Sequence, residues 1–154
     1  MGPYGLFLTN YEKIGYNRPM KSEKSCGAVL YFRSEDGILF LIEKMNKGHY
    51  ALVKGHVERQ ETELETALRE IKEETNLDAK IDTSFRLETE YAPAIGVMKK
   101  VVYFIGELIS QKAIPQAEEV KEILFLPFDQ AYSILTYQND KAILKSAIEY
   151  INRK

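Results

Sequence analysis

The run GHVERQETELETALREIKEETNL, residues 55–77, constrains this chain more than any other stretch. Leu64, Ala67, Leu68 and Ile71 fall at i, i+3, i+4 and i+7, which predicts a helix from about Glu63 to Thr75 anchored on a core by that apolar stripe. Glu70, Glu73 and Glu74 stand at i, i+3 and i+4, so they project from one helical face within reach of each other. Like charges so placed destabilise a bare helix. Hard oxygen ligands on a rigid element are what magnesium, or alternatively manganese, neutralises, so the run predicts a divalent-metal site. For an ordinary glutamate cluster the competing reading is a solvated acidic flank.

Length and composition narrow the setting. At 154 residues and 17.7 kDa the chain suits one domain with a real core. The net charge of −2 gives no basic field for duplex nucleic acid. Cys26 is a lone cysteine in the apolar run CGAVLYF, which reads as a small core residue and suits a reducing cytoplasm. No apolar run reaches transmembrane length, so a cytoplasmic protein without membrane contact is expected.

Along the chain, residues 1–24 are rich in Gly, Pro, Tyr and Asn and form an extension without assignable structure, with Met20 as an alternative start of the compact domain. The domain proper spans residues 25–154. Cys26 to Arg33 and Ile38 to Glu43 read as a hairpin turned at Asp36-Gly37. His49 to Val53 is a short strand or extended segment. Ile81 to Glu90 and Lys99 to Leu108 read as strands separated by a loop around Pro93 and Gly96, expected to wall a pocket. Ile109 to Glu122 is expected to be mainly loop, Ile123 to Leu126 a strand, and Asp129 and Asn139 or Asp140 the caps of two closing helices. The last carries Ile143, Leu144, Ala147, Ile148 and Ile151 at helical spacing. Strands, a helix, strands and two helices predict packed layers of sheet and helix, an α/β fold.

The order Gly55, Glu61, Arg69, Glu70, Glu73 and Glu74 follows GX5EX7REUXEEX, with U apolar, and so resembles the Nudix box of the Nudix hydrolases. Asn76 replaces the family's glycine after the helix, where a left-handed residue is expected and asparagine is tolerated. The resemblance implies a Nudix-type α/β/α sandwich with a mixed sheet. It also implies metal ligation by Glu70 and Glu74, with Glu73 close behind and the Gly55 carbonyl as a further oxygen. Which carboxylate takes the proton stays open between the box and an outside glutamate, Glu118 or Glu119, and Glu119 is also counted among the implied metal ligands. Arg69 and Glu61 read as a supporting pair, the guanidinium fork tying the loop to the helix.

Outside the box, the runs KGHVE, KKVVYFIGEL and FLPFDQAYSILTY together resemble the asymmetrical bis(5′-nucleosyl)-tetraphosphatases, the diadenosine tetraphosphate hydrolases. By that analogy Lys54 and Lys99 meet the polyphosphate, His49 and the aromatic Tyr50 lie near it, and Tyr91 and Tyr137 sandwich a purine. Tyr50, Val53 and Gln60 stand where that group often has Trp, Pro and Gly, which alters backbone freedom in the loop. The implied activity is magnesium-dependent cleavage of diadenosine tetraphosphate to ATP and AMP. The alternatives are a nucleoside triphosphate, the 5′ end of a triphosphorylated RNA, and a nucleotide-sensing module without catalysis.

Overall fold

The computed structural model describes residues 20–154, so the expected extension lies outside the described residues except at its end. There the first strand, β1 (Lys21–Ser34), already runs from Lys21, earlier than the Cys26 start read from hydropathy. The polar residues Lys21 to Lys24 join it because β6 (Val97–Leu108) lies parallel alongside and pairs with it from Lys21↔Val97 to Phe32↔Leu108.

A seven-stranded mixed sheet has the order β3-β2-β1-β6-β5, with β4 added to β1 and β7 to β2. On its other edge β1 has two successive partners. Its C-terminal end forms the expected hairpin with β2 (Gly37–Met45), Tyr31 opposite Phe40, while Ser25 to Ala28 pair with β4 (Val53–His56). The second half of β2 leaves β1 to pair with β3 (Tyr50–Ala51), while β7 (Val120–Pro127) runs along the other edge of β2 from Leu39 to Met45. This fork opens the sheet where the 55–77 run leaves β4.

Alternation along the strands sorts side chains onto two cores. Cys26, Ala28, Leu30, Leu41, Val53, Val102 and Phe104 face α1 (Glu63–Thr75) and meet its Ala67 and Ile71. Val29, Tyr31, Phe40, Ile42, Val101 and Tyr103 face the other way, toward α2 (Phe128–Ile134) and α3 (Gln138–Asn152), whose Ala131, Ile143, Leu144, Ala147 and Ile151 cover them. Helix, sheet and helices give the expected α/β/α layers. Among the described residues, no helix is long and apolar enough to cross a membrane.

Several local expectations change. Leu64 and Leu68 of α1 are 36% and 41% exposed, and the buried side consists of Thr66, Ala67, Ile71, Glu74 and Thr75. The apolar stripe is therefore rotated toward the carboxylates, and Glu74 belongs to the buried face. Pro93 does not break the ladder: β5 (Ala79–Ala94) and β6 meet across the two-residue turn Ile95-Gly96, and a register shift between Tyr91 and Ala94 absorbs the proline. β7 starts at Val120, before the expected Ile123. Neither Asp129 nor Asp140 is an N-cap; α2 and α3 open after Pro127 and Tyr137 without side-chain caps, and both aspartates sit in the first turns. There they complement the positive helix ends.

Candidate active site

The start of α1 is tightly specified. Thr62 is the N-cap, its hydroxyl accepting from the Glu65 N–H at 3.1 Å while Glu65 accepts from the Thr62 N–H at 2.8 Å. Such a reciprocal box satisfies two otherwise orphaned donors. At the far end Asn76 takes the left-handed conformation, φ 58°, and its N–H donates to the Lys72 carbonyl, as its sequence position implied. Both ends of the helix are pinned, so its side chains are held in place.

Arg69 clamps the preceding loop onto the helix. Its Nε donates to Glu61 Oε2 at 2.6 Å and its Nη2 to Glu61 Oε1 at 3.0 Å, the bidentate grip expected from the spacing. Nη2 also donates to the His56 carbonyl at 2.8 Å, and Nη1 to Glu73 Oε1 at 2.7 Å and Glu70 Oε1 at 3.3 Å. Glu61 accepts further bonds from the Glu58 N–H and the Thr66 hydroxyl. Its pKa falls to about 2, first because of the Arg69 hydrogen bonds. Within this loop Arg59, rather than Gln60, takes a positive φ of 52°. The glycine-like conformation has moved one residue upstream of where the resemblance located glycine.

The three box glutamates form a gradient of burial. The Glu73 side chain is 49% exposed, Glu70 is largely covered, and Glu74 is 3% exposed. A fourth acid, not anticipated from the sequence, meets them from the sheet: Glu43 of β2, 1% exposed. Its carboxyl lies within hydrogen-bonding reach of that of Glu74, which also reaches Glu70. Burial pushes all three pKa values up; for Glu74 the neighbouring Glu43 charge adds to burial. The signal for Glu43 was present in LFLIEKM, where a charge occupies the next position after Leu41 on a core-facing register.

Among the described residues no three His, Cys, Asp or Glu side chains are spaced as a closed ligand set. The acids lean on one another instead. Their chemistry nonetheless fits a hard divalent cation, because the donors are all carboxylate oxygens and the buried Glu43 Oε2 has no hydrogen-bond partner among the described residues. Gly55 adds a second observation: a Cβ there would overlap the Glu70 carboxyl group, so the glycine makes room for that acid against the loop backbone.

A cavity of about 410 Å³ joins the acids to cations. Glu70, Glu73, Glu74, Gly55 and Glu119 line it together with Lys54, Lys99, Ser25, Glu58 and Gln116. Lys99 is half-buried and its pKa is lowered, first by burial and then by Lys54. Ser25 is fully buried, has no partner for its hydroxyl among the described residues, and was also not anticipated. Glu119, and not Glu118, reaches the cavity. Its loop is tied to the end of α1 by Ile114 N–H to Thr75 O and Gln116 N–H to Glu74 O, and to the residue after β2 by Asn46 N–H to Glu119 O.

Of the residues that the resemblance put near the polyphosphate, His49 and Tyr50 do not line this cavity, although its Lys54 acts on His49; nor do Tyr91 and Tyr137, put at the purine. His49 and Tyr137 pack together with ring centroids 6.0 Å apart, and the Tyr50 N–H donates to the Thr136 hydroxyl. Tyr91 is 9% exposed and packs in the core beneath α3, with Asp140 and Tyr137 as electrostatic neighbours. The turn at Ile95-Gly96 does not line the carboxylate cavity either.

Known proteins bear on this arrangement. The NUDIX domain family matches the chain over residues 23–147. A bis(5′-nucleosyl)-tetraphosphatase [asymmetrical] of Sus scrofa is 29% identical over 140 residues, spanning 83% of this chain and 95% of that protein. The crystal structure of a C. elegans Ap4A hydrolase binary complex superposes with a TM-score of 0.78 at 25% identity, covering 86% of this chain and 99% of the other. The NUDIX domain of Shewanella oneidensis NrtR, crystallised with ADP ribose, shares the fold with a TM-score of 0.72 at 17% identity, covering 94% and 96%.

Proposed function

The chain belongs to the NUDIX family, and from that premise we propose that it hydrolyses a phosphoanhydride of a nucleotide with a divalent cation, most specifically diadenosine tetraphosphate to ATP and AMP. The observation that carries this reading is the single cavity in which Glu70, Glu73 and Glu74 face Lys54 and Lys99. A polyphosphate chain needs both walls at once: ammonium groups for its outer charges, and carboxylates that recruit cations to the scissile region. Magnesium, or manganese in its place, would be held by Glu70, Glu74 and the Gly55 carbonyl, with Glu73 at the open side, and would supply neutralisation of phosphate charge and acidification of water.

The protein's own groups have distinct tasks. Lys54 and Lys99 bind and orient the phosphates. Arg69 and Glu61 keep the loop carbonyls and the acids in register. Glu119, exposed at the rim and tied by its loop to α1, takes the proton of the attacking water. His49 and Tyr137 form an aromatic pair close enough to the phosphate site for Lys54 to act on His49, with Tyr50 next in the chain, and there one nucleoside of a long dinucleotide is held; Tyr91 lies in the core near Tyr137.

Similarity to the tetraphosphatases over nearly the whole of their length favours a dinucleoside polyphosphate over a nucleoside triphosphate or an RNA 5′ end. Incubation with magnesium and a panel of diadenosine polyphosphates, nucleoside triphosphates, nucleotide sugars and triphosphorylated RNA tests this reading. ATP and AMP from diadenosine tetraphosphate, at the highest kcat/KM of the panel, is the expected result. Inertness toward every phosphoanhydride in the panel would refute it.

A further inference from the structure

Glu43 has no task in the chemistry above, and its environment is difficult to explain as packing. It occupies the middle of β2, its Cα opposite Ala51 of β3 and Ile123 of β7, on the sheet face that α1 covers. It is among the larger fully buried side chains. One buried acid, Glu74, lies within hydrogen-bonding reach, and Glu43 Oε2 has no hydrogen-bond partner at all among the described residues.

Structure alone gives no reason to keep an acid there. A carboxylate out of water is costly unless paired with a cation or fully hydrogen-bonded, and an apolar or amide side chain of similar size would fill the strand position at lower cost. An opposing charge that acts on it, Lys54, belongs to the substrate cavity. A buried carboxyl that reaches Glu74 of the metal ridge and keeps one oxygen unpaired among the described residues is instead a donor set for a hard cation.

We propose that Glu43 is a fourth carboxylate of the cation centre, contributing its charge and its unpartnered oxygen to a divalent ion shared with Glu74. The proposal rests on the divalent-cation reading above and adds to it a sheet-borne residue outside the 55–77 run. The ridge on α1 is then one side of the centre, and β2 is its floor. A centre with this added charge holds its ion more tightly than the helix acids do alone.

Direct binding of Mn2+, followed by the loss of the free-ion paramagnetic resonance signal without nucleotide, tests this with the full chain. Glu43→Gln keeps shape and one acceptor but removes the charge; its Mn2+ affinity should drop roughly 10- to 100-fold, or one ion should be lost. Glu43→Asp should recover part of that loss. The metal-free thermal midpoint of Glu43→Gln should equal or exceed that of the wild type, the reverse of what a structural role requires. Unchanged Mn2+ affinity and stoichiometry in Glu43→Gln overturns the proposal, whatever the variant's stability. If Glu74→Gln loses the ion and Glu43→Gln does not, only the role of Glu43 falls. If the wild type takes up no Mn2+, the cation reading falls with it.

Discussion

Glu43 on β2 and Glu74 on α1 bring two buried carboxyl groups into hydrogen-bonding reach, one from the sheet and one from the helix. Without a cation between them they share protons, and burial raises both pKa values, that of Glu43 to about 7. The native state therefore holds protons that the unfolded chain has already released above about pH 4.3. Stability contributed by these protons is complete below the unfolded value and is lost as pH rises toward and beyond 7. Glu61, Glu63 and Asp82, held near 2 by their cationic partners, act only in acid, where their contribution disappears as pH falls. His49, lowered by burial, slopes the opposite way near neutrality. In Glu43→Gln the His49 slope is retained and that of Glu43 is gone. Thermal melts of metal-free protein between pH 5.5 and 8 should show the wild type losing stability with rising pH more steeply than the variant. With saturating magnesium the wild-type slope should reverse, because cation binding requires the deprotonated acids.

Gly55 is needed for room. Replacing it by alanine puts a methyl group into the space of the Glu70 carboxyl, and that acid must rotate away from the loop. Because the carboxyl ends a flexible side chain, this costs the low end of the overpacking range, about 1 kcal/mol. Activity should suffer far more, by about 100-fold in kcat, since displacement of a site group by an ångström has effects of that size. A Gly55→Ala enzyme that retains wild-type kcat would show that Glu70 is not held in place by this contact.

Arg69 and Glu61 act as one unit, because the guanidinium fork holds the Glu61 carboxylate with two bonds and the His56 carbonyl with another. Lysine cannot reproduce a planar fork, so Arg69→Lys should lose roughly 10- to 100-fold in kcat despite keeping the charge. Glu61→Gln should lose a similar factor. The double variant should be scarcely worse than either single one, and steady-state kinetics of all four proteins checks this. Multiplying losses would mean the two residues serve separate purposes.

Much of this site was legible in the chain, and the parts that were not share a physical cause. Spacing along one helix is local information, and it sufficed for α1 from Glu63 to Thr75, the Arg69–Glu61 grip and the left-handed Asn76. Glu43 belongs to the centre only because β2 leaves β1 and passes under α1, a tertiary fact that residue spacing does not encode. Ser25 enters the cavity through the same fork. The rotation of the apolar stripe had the same origin. Leu64 and Leu68 fit the helical period as well as the buried residues do, but the sheet is met by Ala67, Ile71 and Glu74. Hydropathy left Glu74 out of the apolar stripe because it has no means of representing a buried acid.

Lys54 and Lys99 should govern substrate capture. Each faces the carboxylates across the cavity, and a hydrogen bond from a charged group contributes about 1.5–3 kcal/mol. Lys54→Met and Lys99→Met should each lower kcat/KM about 10- to 100-fold, mainly through KM. Affinity for Mn2+ without nucleotide should be undiminished in both, because removing a cation from near the acids does not weaken their hold on another. A fall in kcat at unchanged KM would instead assign the lysine to the transition state alone.

The rotated face of α1 makes a last prediction about stability. Ile71 is buried between the helix and the sheet with Ala67, Val53 and Val102 in the same cluster, so Ile71→Ala leaves a cavity beneath the acids. Truncations of this type cost about 2–5 kcal/mol. Leu68, only three residues away and equally apolar, is exposed, and Leu68→Ser should stay within about 0.5 kcal/mol of wild type. Urea unfolding of the two variants separates the alternatives. Were the helix anchored on the stripe that hydropathy suggests, the two substitutions would destabilise the protein alike. A large loss at Ile71 with none at Leu68 places the anchor on the side that carries Glu74, so that the force holding the helix to the sheet also holds that carboxylate out of water.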